Sequence, residues 1–178
     1  MERSKASKGL FFYIRVKILE EYFIIIGDVY MKSAVLYFSR SGNSKRIAEK
    51  VALGLNISPI EITDDKDWRG VLGYIKAGYY SALNKSVAIK VNETLQGIDQ
   101  YIVISPVWAG GPAPAVREFL KSLESNKVYL VMTSVSSDFR NSLEKYENKV
   151  GKLKGYFGII KKQNNEDKII EEIIQKAK

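Results

Sequence analysis

The sequence predicts a three-layer α/β sandwich built on a parallel sheet, and three observations carry that prediction. Five short, continuous apolar segments are typical of strands buried on both faces of a sheet. Segments with helical spacing of apolar residues separate these strands. The length of 178 residues, with 46% hydrophobic and 27% charged residues, is typical of one folded domain.

All five predicted strands lie after Met31 and are bounded by polar or glycine-containing turns. They cover residues 34–38, 57–62, 101–104, 128–132 and 156–160. Strands that alternate with helices in this way form parallel βαβ units, so we expect helices on both faces of the sheet.

Helices are predicted where apolar residues recur three or four positions apart. Ser44 is a candidate N-cap for the first of them, because a serine hydroxyl can accept hydrogen bonds from the free backbone N–H groups there. The apolar positions are Ile47, Val51 and Leu55; Trp68, Val71, Leu72, Ile75, Tyr79, Ala82 and Leu83; Val116, Phe119, Leu120 and Leu123; Phe139, Leu143, Tyr146 and Val150; and Ile169, Ile170, Ile173, Ile174 and Ala177.

Residues 1–30 differ in character from the rest. Their apolar stretch, residues 10–26, contains four charged residues, so we expect neither a membrane span nor a signal peptide. A second start is available at Met31, where the codons of the preceding residues can contain a ribosome-binding sequence. We therefore expect 1–30 to be a mis-assigned or dispensable extension and 31–178 to be the domain. The alternative is a real helix or strand that packs on a partner.

Composition excludes several kinds of chemistry. The chain has no Cys and no His, which excludes disulfide scaffolds, thiolate or imidazole metal sites and Ser-His or Cys-His catalysis. The net charge is +8, but the lysines are scattered rather than striped, so we expect a solvated basic surface in the cytoplasm and no nucleic-acid partner. We predict no metal site.

Ligands of doubly wound sheets bind beyond the carboxyl ends of the strands, so the loops there are the candidate site. The loop after the first strand, residues 39–44, is rich in hydroxyls and leads directly into a helix. Free N–H groups and the helix dipole favour an anion at such a position, and Gly42 lets the backbone curve around it. The nucleoside-triphosphate and dinucleotide glycine motifs are both absent. This pattern favours a phosphate.

The loop after the third predicted strand places Trp108 on a turn rich in proline and glycine. A tryptophan there can stack on a flat heteroaromatic ring, and Gly110 and Gly111 allow backbone N–H groups to approach it. Packing of Trp108 within the loop is the structural alternative. A phosphate loop beside a stacking loop fits one flat phosphorylated ligand, and FMN matches best.

Residues 35–44, followed by Arg46-Ile47-Ala48, resemble the phosphate-binding loop of flavodoxins. Residues 105–110, followed by the segment 112–116, are similar to the flavin-ring loop of that family, and residues 73–79 resemble a helix of small microbial flavodoxin-like proteins. The resemblance covers about residues 32–178. It implies a flavodoxin-like, five-stranded parallel sheet in the order 2-1-3-4-5.

The resemblance also implies a residue-by-residue FMN site with three parts. The phosphate would be held by Ser39, Arg40, Ser41, Gly42, Asn43 and Ser44. The ring would be held by Pro106, Val107, Trp108, Ala109 and Gly110, and its other edge would be bordered by Thr133, Ser134 and Val135.

The implied function is redox chemistry carried by the flavin, with no catalytic side chain. We expect FMN-dependent reduction of a quinone or similar acceptor by NAD(P)H, either as a monomer or as a homodimer. The alternative is a non-enzymatic electron-transfer carrier, although such carriers are usually acidic and this chain is basic. A binding module that has lost its flavin is a further alternative. A response-regulator receiver is excluded, because Ser39 and Ser105 stand where that class needs carboxylates.

Overall fold

Helices flank both faces of a mostly parallel sheet in this computed structural model, which describes residues 31–135, 147 and 151–178. The strands are β1 (Ser33–Tyr37), β2 (Pro59–Asp64), β3 (Ile89–Val91), β4 (Gln100–Trp108), β5 (Gly111–Pro112), β6 (Val128–Ser134) and β7 (Gly155–Ile160). The helices are α1 (Asn43–Gly54), α2 (Gly70–Ala82), α3 (Pro114–Leu120) and α4 (Glu166–Ala177). The predictions for residues 1–30, and for the helix with Phe139, Leu143, Tyr146 and Val150, lie outside the described residues.

The predicted strand count and order are wrong for the sheet as a whole. The described residues form seven strands in the order β3-β2-β1-β4-β6-β7, and β5 pairs with β4. The two unpredicted strands, β3 and β5, are antiparallel to their neighbours and only three and two residues long, too short for a periodic signal. The five predicted strands are the parallel strands, and they lie side by side as β2-β1-β4-β6-β7.

The parallel strands are buried on both faces, as their unbroken apolar sequences predict. Leu36 and Val103 belong to one core and the alternate residues Val35 and Ile102 belong to the other. This separation follows from the two-residue period of a strand, which points successive side chains to opposite faces. The sheet therefore divides the interior into two apolar layers, each covered by helices.

Helix α1 does not begin as predicted. Its N-cap is Gly42, in the left-handed region with φ 84°, and no side chain caps it. Ser44 lies inside the first turn and is buried, and its hydroxyl shares a 3.0 Å hydrogen bond with the Thr133 hydroxyl. The predicted capping role of Ser44 is therefore wrong, because the serine side chain turns toward β6 instead of toward its own helix.

Helix α2 is packed through its smallest residues. Gly73, Ala77 and Ser81 are its buried positions and lie four residues apart on one side. Most large apolar residues that predicted this helix point outward: Val71, Leu72, Ile75, Tyr79 and, just beyond its end, Leu83 are exposed, as is Tyr74. Trp68, which was predicted to lie on the same helix, is buried before its start. The small residues allow the backbone of α2 to pack closely on the rest of the domain, and the large side chains are left in solvent.

A buried amide joins the amino ends of the strands to the end of α4. Gln100, fully buried at the start of β4, donates hydrogen bonds to the Ser33 hydroxyl (2.8 Å) and to the Ala177 carbonyl (2.7 Å). Its own carbonyl accepts from the Lys154 ammonium at 2.6 Å. The first strand and the last helix of the described domain therefore meet at this edge.

Helices α1 and α4 are also joined by charge. The carboxylate of Glu166 accepts from the Arg46 guanidinium and from the Lys50 ammonium (2.9 Å), and Lys50 also pairs with Asp167 (3.0 Å). Hydrogen bonding to Arg46 is the main cause that lowers the pKa of Glu166 to about 2. A carboxyl whose pKa is lowered by folding stabilises the fold above its ordinary range and loses that contribution as the pH falls through the folded value.

We expect Glu166→Gln to remove an acid-sensitive part of the stability. The wild type should lose about 1 kcal/mol of unfolding free energy from this cluster between roughly pH 5 and pH 2, a small value because its cationic partners are half exposed. Urea unfolding at both pH values measures the difference, with Glu171→Gln on the exposed side of α4 as the matched control. Equal pH dependence of the two variants would contradict the assignment.

Candidate functional site

The three loops predicted to bind a ligand meet at the carboxyl edge of the sheet. The Phe38 N–H donates to the Ile104 carbonyl (3.1 Å), and Pro106 is in register with Thr133, so the ends of β1, β4 and β6 are adjacent. The Ser44–Thr133 hydrogen bond joins the first loop directly to the third. Ser134 follows half-buried at the end of β6, and Val135 is exposed just beyond it.

The first loop presents a row of backbone donors. The N–H groups of residues 39–45 make no hydrogen bond to any other described residue, and the first turn of α1 contains no acidic side chain. Gly42 provides the left-handed turn that starts the helix. Ser41 lies exposed beside these donors and accepts a 3.4 Å hydrogen bond from the amide of Asn43. This donor set suits an anion with several oxygens, such as a phosphate monoester.

Arg40 lies on the ring side of the site. Its guanidinium carbon is 5.2 Å from the ring centre of Tyr74 on α2 and 5.9 Å from that of Trp108. These are distances of cation–π contact. Its predicted role toward phosphate stays a prediction, and its contact with Tyr74 is a feature that the sequence did not indicate.

The second loop is a β-hairpin that carries Trp108. Ala109 (φ 48°) and Gly110 (φ 82°) join β4 to β5 as a two-residue turn, with Trp108 paired to Gly111. Two successive positive φ values are the signature of a type I′ turn, which Ala109 adopts here at a steric cost. Pro106 and Val107 are half-buried at the base of this hairpin.

Ser105 holds the base of the hairpin in place through two hydrogen bonds. Its hydroxyl donates to the Pro106 carbonyl (3.0 Å) and accepts from the Ala113 N–H (2.9 Å), and the residue is fully buried. Ser105 therefore has a structural role in fixing the loop that carries Trp108.

Trp108 is supported by an aromatic cluster. Its ring packs edge-on against Phe38 (5.6 Å between centroids) and against Trp68 (5.2 Å), and Trp68 in turn packs against Tyr80 (5.5 Å). Trp108 itself is half-buried. The cluster fixes the ring at the carboxyl edge while leaving part of it accessible, so packing within the loop and stacking on a ligand are compatible.

The aromatic cluster is held in place by a carboxylate. Both oxygens of Asp64, at the carboxyl end of β2, accept from the Trp68 indole N–H (2.8 and 2.9 Å), and one also accepts from the Lys66 N–H (2.9 Å). Burial raises the pKa of Asp64 despite these hydrogen bonds. Asp64 is therefore a positioning residue for Trp68 and, through it, for Trp108.

Solved flavoproteins share this architecture. A Lactobacillus acidophilus flavoprotein in complex with FMN is 19% identical, with a TM-score of 0.60 over 78% of this chain and 98% of that chain. A Bacteroides uniformis structure described as a flavoprotein is 21% identical, with a TM-score of 0.63 over 82% and 98% of the two chains. An NADH:FMN oxidoreductase in its apo form is 15% identical, with a TM-score of 0.50 over 83% and 88%.

The chain has a flavodoxin-like fold. No family model matches the sequence, and no curated protein matches it either. The likeness therefore concerns the fold, which the sequence motifs predicted.

Sequence reasoning missed the part of this flavodoxin-like domain that lies under α2. Asp64 and Trp68 were not predicted to contribute to the site. Asp64 and Trp68 are four residues apart, but they lie in the connection from a strand to a helix, where no periodic pattern relates them. An acidic residue directly after a strand and close to a tryptophan is the signal that could have identified them.

Proposed function

We propose that this protein binds FMN at the carboxyl edge of its sheet and is a cytoplasmic redox protein that passes electrons from NAD(P)H to a quinone or similar acceptor. One observation carries the proposal. A loop whose backbone donors have no partner among the described residues, residues 39–45, lies beside a half-buried tryptophan, Trp108, which is fixed on a hairpin. A ligand that combines a phosphate with a flat ring fits both.

The first loop fits the phosphate of FMN by the chemistry of its donors. N–H groups of Ser39, Ser41 and Lys45 are among those without a partner in the described residues, and the serine hydroxyls add further donors. A phosphate dianion would be stabilised there by hydrogen bonds and by the α1 dipole together. Ser44 would support the loop through Thr133 rather than cap the helix.

The second and third loops fit the ring. Trp108 offers an aromatic surface whose orientation Phe38 and Trp68 hold, and the backbone of Ala109 and Gly110 turns at the same edge. Thr133 and the residues after it would border the opposite side. When bound, FMN would supply hydride and single-electron chemistry that side chains cannot perform.

The protein's own part in such a reaction is binding, orientation and electrostatics. Arg40 places a positive charge over Trp108 and Tyr74, beside the position where a ring would lie. A cation at that place favours a ligand that becomes negatively charged. No described side chain needs to act as nucleophile or as general base.

FMN titration of the purified full chain tests the proposal. We expect flavin absorption bands that stay with the protein through gel filtration and tryptophan fluorescence that FMN quenches, because Trp108 lies in the site. Trp108→Leu should weaken FMN binding roughly tenfold, since aromatic stacking contributes about 1 kcal/mol or more, and Trp108→Phe should recover most of the affinity. Failure of FMN in excess to bind the wild type would overturn the proposal.

Turnover separates a reductase from a carrier. We expect the FMN-loaded protein to oxidise NADH or NADPH when a quinone is supplied, with the flavin spectrum bleaching under anaerobic conditions and recovering when the quinone is added. The basic charge of the chain favours this interpretation, since carriers of this fold are usually acidic. Retained flavin with no reduction by either nicotinamide would favour the electron carrier.

A further inference from the structure

The solvent-facing side of α2 is an apolar surface, which we call the α2 face and define by Val71, Leu72, Tyr74, Ile75, Tyr79 and Leu83. Leu72 is 82% exposed, Val71 is 76% exposed and Ile75 is 63% exposed. A helix normally turns such residues into the core, and a cluster of several large exposed apolar side chains is typical of an interaction site. The inward side of the helix has no room for large residues, because a Cβ atom on Gly73 would lie 2.2 Å from the Trp68 backbone.

The charges along the segment that contains α2 are mostly positive. From Arg69 to residue 92 the chain contains no Asp or Glu, while Lys76, Lys85 and Lys90 add to Arg69. The nearest preceding acid, Asp67, is ion-paired with Arg69 at 2.9 Å. An apolar face with a basic rim complements a surface that is apolar inside and anionic outside.

The same charges disfavour a second copy of this chain. Lys76 does not belong to the α2 face, because it is half-buried with its ammonium 5.4 Å from the centre of the Trp68 ring, but cations lie at both ends of α2. An antiparallel arrangement would therefore place Arg69 near Lys85 of the other copy. Like charges facing each other across an interface oppose association, and each copy carries a net charge of +8.

We propose that the α2 face docks this protein onto an anionic lipid surface. The aliphatic side chains of Leu72 and Ile75 would enter the boundary between headgroups and acyl chains. Tyr74 and Tyr79 carry a polar tip on an apolar ring, which suits the headgroup level. Lys85, whose ammonium lies 4.4 Å from the centre of the Tyr79 ring, would face the anionic headgroups. This is attachment to one leaflet, and among the described residues no helix is long and apolar enough to cross a membrane.

The α2 face adjoins the candidate flavin site. Tyr74 belongs to the face and also contacts Arg40 of the first loop, and Trp68 directly precedes α2 and packs on Trp108. Docking through α2 would hold that edge of the sheet near the lipid. Lipid attachment needs no flavin, so a failure of FMN binding would leave this proposal unaffected.

Vesicle flotation of the full chain without added FMN tests the proposal. We expect binding to vesicles of phosphatidylcholine mixed with phosphatidylglycerol, much weaker binding to phosphatidylcholine alone, and weakening as salt is raised. The double variant Leu72→Gln/Ile75→Gln should lose at least about 100-fold in affinity, because two exposed aliphatic side chains can no longer be buried in lipid. Lys85→Gln should lose about fivefold.

Leu53→Gln is the matched control, since Leu53 is 81% exposed on α1, away from the α2 face, and its loss should leave flotation unchanged. Unchanged thermal unfolding of each variant would show that folding is intact. Absence of flotation with anionic vesicles at low salt would overturn the proposal. A dimer in sedimentation velocity that Leu72→Gln/Ile75→Gln dissociates would overturn it too, because a second copy would then cover the face.

Discussion

Ser41→Asp is expected to weaken FMN binding severely while leaving the fold intact. Ser41 is exposed in the loop whose N–H donors find no acceptor in residues 31–135, 147 or 151–178, so an aspartate there meets no packing constraint. Its charge would face the phosphate at a distance of a few ångströms, where two like charges repel by about 3 kcal/mol at the effective dielectric of a protein surface. The affinity for FMN should fall by roughly 100-fold or more.

Two controls make this test specific for the phosphate. Riboflavin has the same ring without the phosphate, so its affinity should be equal in the wild type and in Ser41→Asp. Ser58→Asp adds the same charge at an exposed position before β2, near the opposite edge of the sheet, and should bind FMN like the wild type. Titration of flavin fluorescence measures all of these affinities. If Ser41→Asp keeps wild-type affinity for FMN, the phosphate does not lie at this loop.

Gly73→Ala should cause the largest loss of stability of any single-methyl addition on α2. The added Cβ would lie 2.2 Å from the Trp68 carbonyl carbon and 2.3 Å from its oxygen, and these are backbone atoms that cannot swing aside. Forced overpacking of this kind costs about 1 to 3 kcal/mol or more. For a chain of this size the melting temperature should fall by about 4 to 10 °C.

Gly78→Ala, in the same helix, is the matched control. A Cβ on Gly78 meets nothing within 4 Å and its φ is not positive, so alanine should stabilise the helix by about 0.5 to 1 kcal/mol. Circular dichroism during thermal unfolding compares the two variants. Gly73→Ala should also alter tryptophan fluorescence, since Trp68 must move against Trp108. Equal melting temperatures for the two variants would refute the close approach.

The adjacency of the three site loops was predictable because it depends on one rule. Carboxyl ends of parallel strands share one edge, so Gly42, Trp108 and Thr133 had to come near each other once the strands were recognised. The turn at Ala109 was not predictable in the same way. Alanine is a poor residue for a positive φ, and the usual Asn-Gly signal of a type I′ turn is absent.

The orientation of α2 shows why hydrophobic spacing alone is insufficient. Leu72 and Ile75 recur at helical spacing and correctly predict a helix, but so do Gly73 and Ala77, and the small residues are the ones that face inward. The spacing of the large residues shows only that this segment is a helix. Which side packs depends on the room beside Trp68, and that is a property of the tertiary structure.

The buried amide of Gln100 determines where this domain can be attached to something else. Because Gln100 bonds both Ser33 and Ala177, the two ends of the described domain lie together at the amino edge of the sheet. The loops that carry Gly42 and Trp108 lie at the opposite edge. A tether fused after Ala177 would therefore hold the protein on an electrode or a bead with its candidate redox edge turned toward the solution, open to donors and acceptors alike.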